Sequence, residues 1–433
     1  MCDAKPLQTW NMSAKPDTND TAADDVNRTF TSGWTIVGFT ATAQFFSVGI
    51  GYYTFGVYLV PLTESLGENR FWVSLALSMQ TVLMAALSPL AGRIVSDYSI
   101  RGAMVFGVCM LSAGLIICSQ ANSLWLLYLG FGVVISLGVV FLGNIPCNLM
   151  LANWFVRRRG MALGISQAGI TVSGVLLVPL ATYLVVNFGW RISFLVFAVL
   201  TPAILLPLIW KFAIRAPQDI GLHPDGDSQQ NIEMHVGQGT HWNFARAIRE
   251  RDIWLISLIA GPCYMGVAAV VIALPSHGMD LGLSPMQAST AVLVTTLFGT
   301  LAKPLAGTVS DYMSKRLVVA IAIALQLVAT GVLLIASDLF MLCLAGALFG
   351  LGYGSIAPLW SLLLAERFGL ADFAKVMGLA MPLTMPFNLI GLPLTTLIFE
   401  MTGSYTPAFA FLFLGYGVSG VCVWLLRLPS DSS

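Results

Sequence analysis

One lysine lies deep inside an apolar stretch, and its charge is the first chemical question that the sequence raises. Lys303 stands eight residues before Asp311, within the mostly apolar residues 286–310. Eight helical residues rise about 12 Å. If this stretch crosses a membrane, the ammonium lies near the middle of a hydrocarbon core about 30 Å thick. A charge at that depth is costly and by default marks the path of a substrate or an ion.

The sequence offers Lys303 no counter-ion at comparable depth. The acidic residues of the apolar stretches, such as Glu64, Asp97, Glu366 and Glu400, all fall near the ends of those stretches. The carboxylate of an anionic substrate would supply the missing charge, and we expect Lys303 to bind one. In the alternative, the lysine stem bends toward the nearer loop and its ammonium reaches the membrane interface.

Several polar side chains could line a cavity around this lysine. They are Tyr52, Tyr53, Asn144, Asn148, Gln167, Tyr353 and Asn388. Each could contact a substrate or make a hydrogen bond between helices, and we expect at least two to contact the substrate. His277 follows another apolar stretch. It could titrate near neutral pH and carry a proton, or it could be a hydrogen-bonded loop residue.

The elements that must position these residues are membrane helices. Hydrophobic residues make up 57% of the chain and charged residues only 10%, which excludes an ordinary soluble domain. A helix that spans a bilayer needs about 20 mostly apolar residues. Twelve stretches meet this requirement: roughly 34–62, 72–96, 102–120, 124–150, 160–186, 191–213, 252–274, 286–310, 316–336, 339–365, 374–400 and 405–428. We therefore expect an all-α membrane protein with twelve transmembrane helices.

A repeated segment divides the twelve stretches into two sets of six. Residues 89–98 read PLAGRIVSDY, and residues 304–312 read PLAGTVSDY, one residue shorter. The copies start 215 residues apart in a chain of 433. Two related halves around an axis along the membrane normal explain such a repeat. The residue before the proline is Ser88 in the first copy and Lys303 in the second, so the halves differ at this point.

The repeat predicts two six-helix halves, residues 30–213 and 252–428, joined by a polar linker at 214–251. In the linker we expect a short interfacial helix that places Trp242, Ala245 and Ile248 on one face.

Charge patterning predicts how the chain is oriented. Lys and Arg concentrate in alternate loops, so the positive-inside rule places both termini and the linker in the cytoplasm. Residues 1–29 are polar and lack an apolar run behind a basic start, and we expect a disordered tail there rather than a signal peptide. Residues 429–433 form a second short tail. The sequence contains no glycine-rich loop with a lysine of the kind that binds ATP, so ATP binding is not predicted.

Two motifs resemble known families. Residues 307–316, GTVSDYMSKR, resemble the loop signature of the major facilitator superfamily. Residues 154–169, WFVRRRGMALGISQAG, are similar over sixteen positions to the entry of helix 5 in the monocarboxylate transporter family. The resemblance implies the major facilitator fold of two pseudo-symmetric six-helix halves. In the second motif, Gly160, Gly164 and Ala168 recur every four residues, so a neighbouring helix could approach this face closely.

The resemblance also implies roles for single residues. Lys303 takes the place of a helix-8 arginine that holds the substrate carboxylate in that family, and Tyr52 aligns with a tyrosine near the substrate. Two departures accompany these matches. The helix-8 aspartate, one turn earlier, corresponds to Gly299, and the helix-1 lysine of animal members falls at about Gly56. Because that acid–base pair is missing, proton symport does not follow from the resemblance.

A gate at the cytoplasmic face is a further implication of the superfamily motif, whose aspartate caps a helix. The first copy is one residue longer, and Arg101 alone represents its basic pair. We expect gating roles for charged residues at the helix ends there: Asp97, Arg101, Arg157, Arg158, Asp311, Lys315, Arg316, Glu366 and Arg367.

We therefore expect a secondary transporter of small organic anions, above all monocarboxylates, that works by alternating access in a plasma membrane, that of a bacterial cell. It would be a monomer in the lipid bilayer, with no cofactor and no nucleic-acid partner. Its transport would be coupled to proton symport or to anion exchange. Two alternatives remain: an exporter of drugs or other solutes on the same fold, and a non-transporting membrane sensor. An enzyme is not expected, because no nucleophile–base set or metal cluster falls at one depth.

Overall fold

A computed structural model describes residues 18–224, 242 and 244–426. Within these ranges the chain forms helices and loops without a strand, and twelve helices are long and apolar enough to cross a membrane. We number them α1 to α12. Their bounds are α1 Thr18–Val48 with a π-helical turn Gly49–Tyr53 and Phe55–Leu66, α2 Arg70–Asp97, α3 Ile100–Ser119, α4 Leu124–Leu127 with a π-helical turn Tyr128–Val134, Ile135–Leu142 and Asn144–Trp154, α5 Arg159–Phe188, α6 Trp190–Phe212, α7 Arg251–Asp280, α8 Pro285–Tyr312, α9 Lys315–Ile335, α10 Leu339–Phe368, α11 Phe373–Thr402 and α12 Thr406–Leu425.

The twelve predicted stretches are thus confirmed as helices, while the boundary of the N-terminal tail differs from the prediction. Residues 1–17 and 429–433 lie outside the described residues. Helix α1 begins at Thr18, so residues 18–29 are helical where we expected a disordered tail. A helix that is already nucleated extends at little cost per residue, and the apolar part of α1 directly follows this segment.

The linker forms less helix than its sequence pattern predicts. Residues 225–241 and 243 lie outside the described part of the chain, and the helix covers only one turn, Phe244–Ala247. Trp242 and Ala247 are buried, whereas Ala245 is exposed. The prediction that Ala245 shares a helix face with Trp242 and Ile248 was wrong. The helix ends after one turn, and a turn leads into α7.

The two halves meet along two seams that occupy equivalent places. Helix α5 packs on α8, and α2 packs on α11. We call the end of the bundle where α6 and α7 meet the linker the linker end. Helices α2 and α8 finish at this end, and α5 and α11 begin there.

Glycines bring the backbones of α5 and α8 into direct contact near the linker end. A Cβ atom on Gly160 would lie 2.2 Å from the carbonyl oxygen of Gly307, and one on Gly164 would lie 2.3 Å from the carbonyl oxygen of Lys303. No side chain fits in either place. The close approach predicted for Gly160 and Gly164 is therefore confirmed.

The α2–α11 seam repeats this arrangement. A Cβ on Gly92 would lie 2.3 Å from the carbonyl oxygen of Ala374, and one on Gly378 would lie 2.4 Å from that of Ser88. The two contacts are again four residues apart along each helix. The contact farther from the linker end again involves the residue before a proline, here Ser88. The halves are therefore packed together at the linker end of both seams.

Candidate functional site

Lys303 lies in the α5–α8 seam with only 6% of its surface exposed. Its Nζ atom donates a hydrogen bond to the backbone carbonyl oxygen of Gln167 in α5, at 3.2 Å. Among the described residues, no carboxylate lies within the 4.0 Å of an ion pair with this ammonium.

The direction of the lysine side chain bears on the interface-reaching alternative considered for it. The backbone of Lys303 contacts α5 at Gly164, but its ammonium bonds Gln167, three residues farther from the linker end. Side chains on a helix tilt toward the helix N-terminus, which for α8 is the opposite end. The lysine therefore reaches toward the middle of the bundle, and the alternative in which it bends toward the loop is not supported.

Ser88 occupies the equivalent position in the α2–α11 seam. Its Oγ donates to the carbonyl oxygens of Gly378 in α11, at 2.9 Å, and of Ala85, at 2.7 Å. The carbonyl of Ala85 lacks its usual helical partner because Pro89 has no N–H group. Both halves thus place a hydrogen-bond donor before the proline and direct it at a backbone carbonyl of the other half. Only the second half makes this donor a cation.

A buried polar cluster connects the seam at Lys303 with two further helices. Ser361 of α10 accepts hydrogen bonds from Nδ2 of Asn148 at 3.1 Å and from Nε2 of Gln167 at 3.5 Å. The Oδ1 atom of Asn148 is buried and has no hydrogen-bond partner in the part of the chain that the structure describes. Gln167 and Asn148 were predicted to lie near the lysine, and the cluster brings them together. Sequence reasoning missed Ser361, because one serine in an apolar helix gives no signal of its own.

The structure explains the glycine at position 299. A Cβ there would lie 2.7 Å from Cε1, Cζ and the hydroxyl oxygen of Tyr353. The phenol of Tyr353 therefore fills the place that an aspartate side chain would need, one helical turn from Lys303. Tyr52 and Tyr53 lie in the π-helical turn of α1 and are 47% and 38% exposed.

Three other predicted residues make no hydrogen bond to Lys303 within the described part of the chain. Asn144 starts the last segment of α4, and its Oδ1 is buried without a hydrogen-bond partner among the described residues. Asn388 is exposed on α11, ten residues beyond Gly378, which corresponds to about 15 Å along the helix. His277 is buried inside the C-terminal half, with its ring 5.3 Å from that of Phe409.

Two of the predicted gating residues contact the opposite half at the linker end. The carboxylate of Asp311 accepts hydrogen bonds from the backbone N–H groups of Gly160 at 2.7 Å and Met161 at 2.9 Å, in the first turn of α5. A carboxylate is favourable there because the N-terminus of a helix carries partial positive charge. Asp97 forms an ion pair with Lys375 of α11 at 2.8 Å. Lys375 was not among the predicted gating residues.

Other predicted gating residues join helices of one half. Lys315 pairs with Glu366 at 3.1 Å, and Arg367 pairs with Asp252. The remaining ones lie as follows: Arg101 has its guanidinium 5.8 Å from the centre of the Trp210 ring, Arg157 precedes α5, Arg158 is the N-cap of α5, and Arg316 donates to the carbonyl of Leu426.

A cavity of about 170 Å³ lies at the linker end of the α2–α11 seam. Arg93 and Asp97 of α2, Lys375 of α11, and Trp242 and Phe244 of the linker are among its lining residues. It is separate from the position of Lys303. No group of three His, Cys, Asp or Glu side chains that could hold a metal ion occurs in the described part of the chain.

Comparison with known proteins agrees with this architecture. The family model described as Major Facilitator Superfamily matches residues 41–265 and 256–433. Human "Monocarboxylate transporter 2" is 26% identical over 418 residues, which cover 91% of this chain and 84% of that protein. Bovine "Monocarboxylate transporter 13" is also 26% identical, over 92% and 89% of the two chains.

A solved structure shares the fold at much lower identity. The Major Facilitator Superfamily transporter FucP, in its outward conformation, superposes with a TM-score of 0.68 and 14% identity, over 92% of this chain and 99% of that one. The family model covers nearly all of the twelve helices. The chain therefore belongs to the Major Facilitator Superfamily and is a multi-pass membrane transporter, not an enzyme, that resembles the monocarboxylate transporters.

Proposed function

We propose that this transporter moves small organic anions, above all monocarboxylates, and that Lys303 binds the carboxylate. The observation that carries the proposal is a buried ammonium at the seam between the halves, without a carboxylate of the described residues in ion-pair distance. A buried charge needs a partner, and a carboxylate substrate supplies one. The names of the relatives that resemble this chain support the same class of substrate.

The substrate lies between α5, α8 and α10, in contact with residues of both halves. We place Lys303, Gln167 and Asn148 at its charged end. An ammonium has three N–H donors, and one is used by Gln167, so two can turn to a carboxylate. The three tyrosines, Tyr52, Tyr53 and Tyr353, come from the side away from the linker end. Asn144 and Asn388 belong to the outer parts of the same path.

Transport proceeds by alternating access, and the two seams at the linker end form one gate. The contacts of Asp311 with α5 and of Asp97 with Lys375 favour the arrangement in which this gate is closed. The within-half pairs of Glu366 and Arg367 hold the helix ends that carry the gate. Since an exposed ion pair contributes at most about 1 kcal/mol, a substrate can shift such an equilibrium through its differential affinity for the two states.

The driving force is a proton gradient in symport or a second anion in exchange. Because position 299 is a glycine and not an aspartate, a proton would travel with the substrate or on another side chain. His277 is the side chain to test. Recording the pH outside proteoliposomes during uptake, with and without an anion inside, separates the two modes. Proton symport predicts alkalinisation without internal anion, while exchange predicts uptake only with it.

We place the protein as a monomer in the plasma membrane of a bacterial cell. The basic loops support an orientation in which the linker end and both termini face the cytoplasm.

The direct test is a thermal-stability screen of the purified protein against a panel of monocarboxylates, dicarboxylates and lipophilic cations. A ligand that binds the folded state raises the melting temperature. We expect monocarboxylates to stabilise the parent and a Lys211→Ala variant, whose lysine lies at the end of α6 over Phe212, but not Lys303→Ala. Stabilisation by lipophilic cations alone would overturn the proposal.

A further inference from the structure

Three tyrosine hydroxyl groups near the proposed site have no hydrogen-bond partner among the described residues. They belong to Tyr52, Tyr53 and Tyr353. Two other tyrosines satisfy theirs: Tyr58, also in α1, bonds Ser193 at 2.8 Å, and Tyr128 in α4 donates to the carbonyl of Trp72 at 2.7 Å. These three hydroxyl groups are donors that the described residues leave unused.

Tyr353 is the member of this set with the most fixed position. Its ring packs on Phe349, with 5.7 Å between the ring centres. Below it, α10 touches the backbone of α8 through two glycines: a Cβ on Gly350 would lie 2.4 Å from the carbonyl oxygen of Thr295, and one on Gly354 would lie 2.2 Å from that of Gly299. The α10 backbone therefore packs directly on α8. The Tyr353 ring lies between Phe349 and the α8 backbone at Gly299.

Gly299 directs the phenol toward the lysine. Positions 299 and 303 are one turn apart, so they share one face of α8. The hydroxyl oxygen of Tyr353 lies 2.7 Å from the place of a Cβ at position 299, which puts it over this face, one turn from Lys303.

We propose that the Tyr353 hydroxyl and the Lys303 ammonium together clamp one substrate carboxylate, and that Gly299 is needed to leave the phenol its place. This inference rests on the proposed function and deepens it, because it assigns the second ligand of the carboxylate. Both clamp residues belong to the C-terminal half, while Gln167 and Asn148 approach the charged end of the substrate from the N-terminal half. Tyr53 then contacts the bound substrate from the N-terminal half.

The chemistry of the clamp suits a carboxylate. A phenol donates one hydrogen bond and an ammonium three, whereas an ionised carboxylate only accepts. Hydrogen bonds to a charged acceptor are stronger than those between neutral groups. An aspartate at position 299 would bring an acceptor that competes with the substrate for Lys303. A glycine with a phenol over it leaves the lysine to the substrate.

The test measures the dissociation constant of the monocarboxylate that gives the largest thermal shift, by calorimetry on the purified full-length protein. Tyr353→Phe keeps the ring and removes only the hydroxyl, and we expect binding at least about tenfold weaker at an unchanged melting temperature of the ligand-free protein. Tyr128→Phe is the matched control and should bind as the parent does.

Gly299→Ala tests the second part of the proposal. Its methyl group displaces the ring of Tyr353, so we expect a similar loss of affinity, and no further loss when it is combined with Tyr353→Phe. Gly417→Ala is the control, because a Cβ there meets nothing within 4 Å. If Gly299→Ala fails to fold, Tyr353→Phe alone still decides.

The outcomes separate this inference from the proposed function. Loss of binding in Lys303→Ala with parent-like binding in Tyr353→Phe would overturn the clamp and leave the proposed function intact. Parent-like binding in Lys303→Ala would overturn both. Additive losses in the Gly299 and Tyr353 double variant would overturn the role given to Gly299.

Discussion

At the residue scale, the two halves use one position for two purposes. Ser88 and Lys303 both precede a proline and both donate to a backbone carbonyl across a seam. The serine hydroxyl carries no charge and is satisfied by the carbonyls of Ala85 and Gly378. The lysine adds a cation in a place where hydration is lost, and that cation can be satisfied by an anionic ligand. The proposed function therefore assigns different roles to the two halves at this one position.

Ser361 provides the residue-scale prediction. It accepts hydrogen bonds from both Asn148 and Gln167. Ser361→Ala leaves the buried amide donor of Gln167 without this acceptor and leaves that of Asn148 only the weak acceptor Sδ of Met377, at 3.9 Å. We expect a loss of about 1–3 kcal/mol, measured as a lower melting temperature. Ser355→Ala is the matched control on the same helix, since that hydroxyl only bonds the carbonyl of Leu351. Equal melting temperatures of the two variants would contradict the role of Ser361.

At the element scale, the seams are built from backbone contacts. Where glycines let α5 lie directly on α8, no side chains interlock, and the two helices can separate without repacking a core. The prolines at 89 and 304 stand next to these contacts. Each removes one helical hydrogen bond, and Ser88 satisfies the carbonyl that is freed in α2.

Gly164→Ala tests the α5–α8 contact. The added Cβ would lie 2.3 Å from the carbonyl oxygen of Lys303, and backbone atoms cannot yield unless the helices separate. We expect the linker end to open. In a background without native cysteines, Ser310→Cys, buried in this seam, should then react faster with a water-soluble maleimide. Gly417→Ala should leave the labelling rate unchanged, and an equal rate in Gly164→Ala would contradict the contact.

Sequence patterns predicted the helices well, but they predicted poorly which side chains pair between the two halves. Twelve apolar stretches and one repeat define the architecture, because length and hydrophobicity decide which segments enter a membrane. The depth of Lys303 follows from counting residues. Its bond to Gln167 and the pair of Asp97 with Lys375 do not, since both join residues more than a hundred positions apart. Their formation depends on how the halves dock, which local patterns do not encode.

At the scale of the whole molecule, the structure is closed at the linker end, and Lys303 lies within the closed region. Under the proposed alternating access, opening that end would separate α5 from α8 and break the bond of Lys303 to Gln167. The lysine would then be released as the path to this side opens. A substrate bound to it would therefore be exposed to one side at a time, which is what alternating access requires.

The most direct test of the central claim is uptake by proteoliposomes. The labelled substrate is the monocarboxylate that stabilises the parent protein most strongly. We predict that Lys303→Ala reduces the initial rate at least about thirtyfold, because removing one partner of a buried charge pair costs 2 kcal/mol or more. Lys303→Arg should retain part of the rate because the charge remains, and Lys211→Ala all of it. Uptake by Lys303→Ala at the parent rate would contradict the account.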